Sequence, residues 1–82
     1  MIRCRVLLFA RARELAGVSE WAMTMSDQAV VADVRRELTA RFPELADLLP
    51  RCAVGINGEY ADDATPLPAD AEVAVLPPVS GG

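Results

Sequence analysis

From Val31 to Phe42 the apolar residues recur at three- and four-residue steps. Val31, Val34, Leu38 and Phe42 share one face of an amphipathic helix, with Asp33, Arg36, Glu37 and Thr39 on the wet side. Pro43 ends this helix, because proline disfavours helical geometry in the residue before it. Upstream, Ser26 and Asp27 are of the types that cap helices or make turns. On both sides of the helix the apolar period shortens to two. A chain with one main helix between alternating segments buries the helix's stripe by laying it on a sheet, so an α+β fold is expected.

The alternating segments supply that sheet. Ile2 to Phe9 is rich in β-formers and sets Ile2, Cys4, Val6 and Leu8 against Arg3, Arg5, Leu7 and Phe9. Arg11 to Ala16 reads as a short helix closed by Gly17, a favoured C-cap. Trp21, Met23 and Met25 then share one face of a returning strand, making a hairpin with a partly helical connection. After Pro43 a further short turn carries Leu45, Leu48 and Leu49 and is expected to stop at Pro50. Cys52 to Ile56 is a third strand, Asn57-Gly58 is a strong two-residue hairpin signal, and Tyr60 lies on the short return. Ala61 to Asp70 is loop-like. Glu72 to Leu76 forms a last strand, terminated by Pro77-Pro78. Together these predict a mixed sheet wrapping one main helix, the β-grasp or ubiquitin-like arrangement, as a single domain over residues 1–82 with a flexible C-terminal tail over 77–82.

Composition narrows the function classes. At 82 residues and 52% apolar the chain suits one modest core, with roughly 60% of its surface buried on folding. Twelve acidic against eight basic residues leave a net charge of −4, which disfavours nucleic acid as a partner. Cys4 and Cys52 are the only cysteines and are far apart in sequence, so no zinc ribbon or iron–sulfur cluster is expected; both read as buried strand thiols. Histidine is absent, which removes the commonest general base and the commonest metal ligand. No metal site and no side-chain catalysis are expected. The apolar run Val6 to Phe9 is too short for a signal peptide or membrane span, and a cytoplasmic location is expected.

The chemistry is expected at the end of the chain, Pro77-Pro78-Val79-Ser80-Gly81-Gly82. With glycine at about 7% of residues, a terminal Gly-Gly arises by chance in roughly 0.5% of chains, so chance explains it poorly. A glycine carboxylate without a neighbouring Cβ threads a narrow channel and meets ATP unobstructed. Adenylation makes it a mixed anhydride, and attack by a sulfur donor yields a thiocarboxylate, a strong nucleophile at neutral pH.

Three segments carry a family resemblance: Phe9-Ala10-x-x-Arg13-Glu14-x-x-Gly17, Ala53-Val54-x-Ile56-Asn57, and Asp70-x-Glu72-Val73-Ala74-x-Leu76-Pro77-Pro78-Val79-Ser80-Gly81-Gly82. Together they span essentially the whole chain, and the sequence resembles the small-subunit family of molybdopterin synthase, ubiquitin-like sulfur carriers. Ala71 and Leu76 depart from the family's pattern, the first within a Gly-Asp-Glu run, the second where an aromatic residue is frequent.

The resemblance implies that Gly82 is adenylated by an adenylyltransferase of the ubiquitin-activating type, which consumes ATP, and is then sulfurated by a sulfur donor. No permanently bound cofactor is implied. It further implies docking, as two small plus two large chains, with a large subunit that holds the catalytic side chains. The assembled enzyme would be a sulfurtransferase converting cyclic pyranopterin monophosphate to molybdopterin. Pro77, Pro78, Val79, Ser80 and Gly81 would occupy the partner's channel. Phe9, Tyr60 and Leu76 would form an apolar docking patch, and Arg13 would meet an acidic group on a partner. Two alternatives share the fold: a sulfur carrier for thiazole or cysteine synthesis, and a ubiquitin-like modifier that forms isopeptide bonds. The first motif and the Pro-Pro-Val-Ser lead argue against thiazole or cysteine synthesis. The chain has no lysine, so it could not itself be extended into lysine-linked chains.

Overall fold

Alternation in the first eight residues is realised as a strand whose even positions are inside. The computed structural model describes residues 1–79 and gives β1 Ile2–Leu8, α1 Ala10–Ala16, β2 Glu20–Met25, α2 Val31–Arg41, β3 Ala53–Ile56, β4 Glu59–Ala61 and β5 Ala71–Leu76. Two 3-10 turns, Pro43–Leu45 and Leu49–Arg51, lie between α2 and β3. The five strands form one mixed sheet in the order β2-β1-β5-β3-β4. β1 and β5 run parallel at its centre, with Cys4 opposite Ala71 and Leu8 opposite Val75, and every other pairing is antiparallel. This is the expected β-grasp.

The core is the sheet's inner face closed by α2. Val6, Leu8, Val54, Val73 and Val75 are fully buried there, against Val31, Val34 and Leu38 of the helix and Leu45 and Leu49 of the 3-10 turns. Close packing of such branched aliphatics dominates the stability of a domain this small. The exposed area is 5014 Å², near the ~4,800 Å² expected of a folded chain of this mass.

Several expectations are met at the backbone level. Gly17 caps α1 at φ +78°, and its N–H donates to the Arg13 carbonyl at 2.9 Å. Asn57 and Gly58 both have positive φ, +50° and +88°, as a tight two-residue hairpin turn with matching twist requires. Asn57 also clasps β5, its N–H donating to the Glu72 carbonyl and its Oδ1 accepting the Glu72 N–H, both at 2.9 Å.

Other expectations need correction. Ser26 makes a turn, accepting the Gln28 N–H at its Oγ, but it does not cap the helix. The N-cap is Val30, whose N–H donates to the Asp33 carboxylate one turn ahead at 2.8 Å. An acidic residue three positions into the helix does the work expected of a polar cap. Phe42 is the C-cap of α2 rather than a helical residue, half-buried edge-on to Trp21 at 5.2 Å. Pro50 does not stop a turn but lies inside the second 3-10 turn, where its missing N–H is not needed. β1 ends at Leu8, not Phe9; Cys52 precedes β3; and β5 begins at Ala71, buried opposite Cys4.

Candidate functional site

β5 delivers the tail. Leu76 is its last residue and Pro77 is half-buried, after which Pro78 and Val79 run out into solvent, Val79 at 94% exposure. Proline fixes φ and donates no hydrogen bond, so two in succession end the ladder and stiffen the exit. Ser80, Gly81 and Gly82, to which the terminal chemistry was assigned, lie outside the described residues. Pro77, Pro78 and Val79 share an open groove of about 820 Å³ with Ala10, Arg11, Glu14, Leu48 and Arg51. Its walls are thus the start of α1 and the 3-10 segment. Arg11 pairs with Glu14 at 3.2 Å, and the exposed guanidinium of Arg51 makes no hydrogen bond or ion pair among the described residues.

The outer face of the sheet carries Tyr60 and Leu76, two of the three residues expected to form a docking patch. Tyr60 on β4 is 82% exposed and stands opposite Gly55 of β3. Gly55 is opposite Ala74 of β5, and Ala53 is opposite Leu76. Gly55 and Ala74 leave a notch of about 240 Å³, walled by Tyr60 and Leu76 and rimmed by Glu59 and Glu72. Leu76 is half-buried rather than fully exposed. Phe9, 42% exposed, leaves β1 one residue beyond the Leu8–Val75 pair, at the same end of the sheet as Leu76. The patch therefore adjoins the tail. Arg13 is not part of it: it is exposed on α1, and its guanidinium has no ion pair among the described residues.

Neither thiol is placed to carry sulfur. Cys4 and Cys52 are 3% and 4% exposed, and burial pushes both thiols above their ordinary pKa, outweighing the lowering influence of Arg35 and Arg51 on Cys52. A nucleophilic cysteine needs the opposite, an accessible site that favours thiolate. Among the described residues no group of three or more His, Cys, Asp or Glu could hold a metal ion.

Arg35 is the side chain that sequence patterning missed. It donates Nε to Asp63 Oδ1 at 2.8 Å, one terminal nitrogen to the Cys52 carbonyl at 2.9 Å, and the other to the Leu49 carbonyl. It thereby fixes the 3-10 segment that carries Leu48 and Arg51 to the tail groove. No local pattern announces it, because all three partners are distant in sequence. Arg11 and Arg51 carry no local signal either, because the groove they share with Pro77, Pro78 and Val79 joins segments distant in sequence.

A mixed five-stranded β-grasp sheet whose central strand leads into the C-terminal segment defines the ubiquitin-like fold class. The sequence pattern of the ThiS family matches residues 6–82. The molybdopterin synthase sulfur carrier subunit of Arabidopsis thaliana is 36% identical over 81 residues, covering 99% of this chain and 84% of the relative. This chain belongs to the ThiS family, together with the molybdopterin synthase sulfur carrier subunits. Among solved structures, SAMP1 of Haloferax volcanii, a small archaeal modifier protein, superimposes with a TM-score of 0.88 at 30% identity, covering 98% of this chain and 99% of that one. A putative molybdopterin converting factor subunit 1 of Pyrococcus furiosus gives 0.88 at 28% identity, covering 96% and 100%.

Proposed function

We propose that this chain carries sulfur as a thiocarboxylate on Gly82 and donates it to cyclic pyranopterin monophosphate, within a molybdopterin synthase. The observation that carries the reading is the contrast between two buried, unreactive thiols and a tail delivered into solvent by the central strand. That contrast supports sulfur chemistry at the terminus rather than on a side chain. An adenylyltransferase of the ubiquitin-activating type joins the Gly82 carboxylate to AMP and releases pyrophosphate from ATP. A sulfur donor then delivers sulfide-level sulfur, which adds to the carbonyl as the bond to AMP breaks, so that the thiocarboxylate forms with no change of oxidation state. In the synthase the thiocarboxylate sulfur bonds to a pterin side-chain carbon as a carbon–oxygen bond there breaks, and water then cleaves the resulting thioester, leaving the sulfur on the pterin and regenerating the carboxylate. A dithiolene holds two sulfurs, so two charged tails are consumed per pterin, which suits two small plus two large chains.

The apolar notch and Phe9 are the docking surface for the large subunit and, in turn, the adenylyltransferase. Apolar area rimmed by polar residues has this character. Arg13, exposed and free of intramolecular ion pairs among the described residues, is available to an acidic group on either partner. Catalytic side chains belong to the large subunit, and a cytoplasmic location, where ATP is available, is in keeping with this cycle. No helix among the described residues is long and apolar enough to cross a membrane.

A second reading, a modifier that conjugates to lysines of other proteins, is favoured by the likeness to the archaeal modifier protein. Incubation with ATP, the adenylyltransferase and a sulfur donor separates the two. A thiocarboxylate that sulfurates the pterin supports the carrier; covalent protein adducts without it support the modifier. Removal of Gly82 should abolish sulfuration while leaving the fold intact, because residues beyond Pro78 add little to the core. Sulfur delivery by the shortened chain would refute the carrier reading.

A further inference from the structure

All eight basic residues are arginines, and there is no lysine. A guanidinium stays protonated at any physiological pH and is no nucleophile, whereas a lysine amine, with a pKa of about 10.4, attacks activated acyl groups in its free-base fraction. This distinction bears on the tail. Arg11 and Arg51 line the same groove as Pro77, Pro78 and Val79, and the three residues after Val79 add at most ~10 Å of chain. Either position, as lysine, would set an amine within reach of the terminus.

The remaining strong nucleophiles are kept from the tail by burial, for the thiols, or by distance, for the exposed α-amino group. The Cys4 and Cys52 thiols are buried beneath the sheet and the 3-10 segment. The α-amino group of Met1 is paired with Asp27 at 2.7 Å. Because β1 and β5 run parallel, it sits at the end of the sheet opposite the tail exit. The intervening seven-residue strand spans ~20 Å, twice the reach of the chain beyond Val79. Cations near the tail, a buried thiol pair and a distant, ion-paired amine all act in one direction.

We infer that the surface around the terminus is built without accessible amine or thiol nucleophiles, so that an activated Gly82 acyl group is not captured by the chain that carries it. The inference rests on the terminal activation proposed above. The reaction avoided is aminolysis: an amine lone pair adds to the Gly82 carbonyl, the bond to AMP or to a thiol breaks, and the nitrogen loses its proton. Its product is an internal amide, a dead end for a sulfur carrier.

The test uses the full chain ending in a Gly82 thioester of a small thiol, made by thiolysis of a self-splicing fusion, and follows it by intact mass and peptide mapping. Wild type should lose its thioester only to hydrolysis. Arg51→Lys and Arg11→Lys should form an internal amide between position 51 or 11 and the tail. They should lose the thioester measurably faster than wild type, the excess loss being matched by internal amide and growing as pH rises toward the lysine pKa and frees more of the tethered amine. Arg3→Lys, at the far end of β1, should behave as wild type. Hydrolysis at the wild-type rate in both tail-proximal variants, with circular dichroism showing them folded, would overturn the inference. So would equal internal amide from Arg3→Lys. The measurement needs no activating enzyme, so its failure is distinct from failure of the sulfuration assay.

Discussion

Replacing Arg35 by alanine should be the most damaging single change outside the aliphatic core. The Arg35 side chain is 21% exposed and ties α2 to two separate segments, the 3-10 segment through Leu49 and Cys52 and the loop that carries Asp63. Its bond to Asp63 reaches a carboxylate that is 62% exposed, so that contact is worth at most ~1 kcal/mol. The two bonds to main-chain carbonyls matter more. Leu49 and Cys52 are 2% and 4% exposed, and hydrogen bonds from a charged donor contribute ~1.5–3 kcal/mol each. Water can reach the vacated space in part, so Arg35→Ala is expected to cost ~2–4 kcal/mol rather than the full sum. For a domain of this size that is a fall in melting temperature of roughly 10–25 °C. Asp63→Ala should cost no more than ~1 kcal/mol, and Arg35→Lys, which keeps the charge but not the fork, should fall between the two. Urea unfolding provides the assay, with the midpoint moving and the slope constant. Stability of Arg35→Ala within ~0.5 kcal/mol of wild type would show that the carbonyls are satisfied by solvent and that the staple adds nothing.

Tyr60→Ala should weaken binding to the large subunit by ~2 kcal/mol, roughly 30-fold in Kd, as for a central aromatic anchor; because Tyr60 is 82% exposed, unfolding should barely change. An unaltered titration by calorimetry would remove the notch from the interface. Arg13→Ala should slow complex formation or sulfur transfer without lowering the melting temperature; unchanged kinetics and affinity would end that role. Asp33 titrates below its ordinary value of 3.8, first because it accepts the Val30 N–H and then because Arg36 bonds to it. Its folded-state pKa is depressed, so the stability it contributes is present above the ordinary carboxylate value and is lost as pH falls through the folded value. The gap in melting temperature between wild type and Asp33→Asn should therefore narrow below about pH 3.8, and a gap that stays constant into acid would contradict the cap.

Most of the fold is legible in the sequence because burial here is written in local periods. Val31, Val34 and Leu38 at helical spacing and Cys4, Val6 and Leu8 at strand spacing are the residues that meet in the core. Asn57-Gly58 announces its turn because few other pairs tolerate two positive φ angles. What was not legible is set by tertiary contact. Val30 caps α2 although valine carries no cap, because the acceptor is Asp33 one turn on. Leu48, Arg11 and Arg51 form the tail groove only after the 3-10 segment is folded against α1 and β5. Tyr60 and Leu76 could be named from the sequence as patch residues. That small Gly55 and Ala74 leave a notch between them depends on strand register, which no local signal fixes.

The central claim is that sulfur resides on the terminal carboxylate and on no side chain. Its most direct test is the intact mass of the protein, charged with ATP, adenylyltransferase and sulfur donor, followed by mapping of the C-terminal peptide. The expected product is heavier by the replacement of one oxygen by one sulfur, with the increment confined to the peptide ending in Gly82. It should disappear when cyclic pyranopterin monophosphate and the large subunit are added. A persulfide on Cys4 or Cys52, or sulfur delivered to the pterin from a chain whose Gly82 retains both oxygens throughout, would contradict the claim.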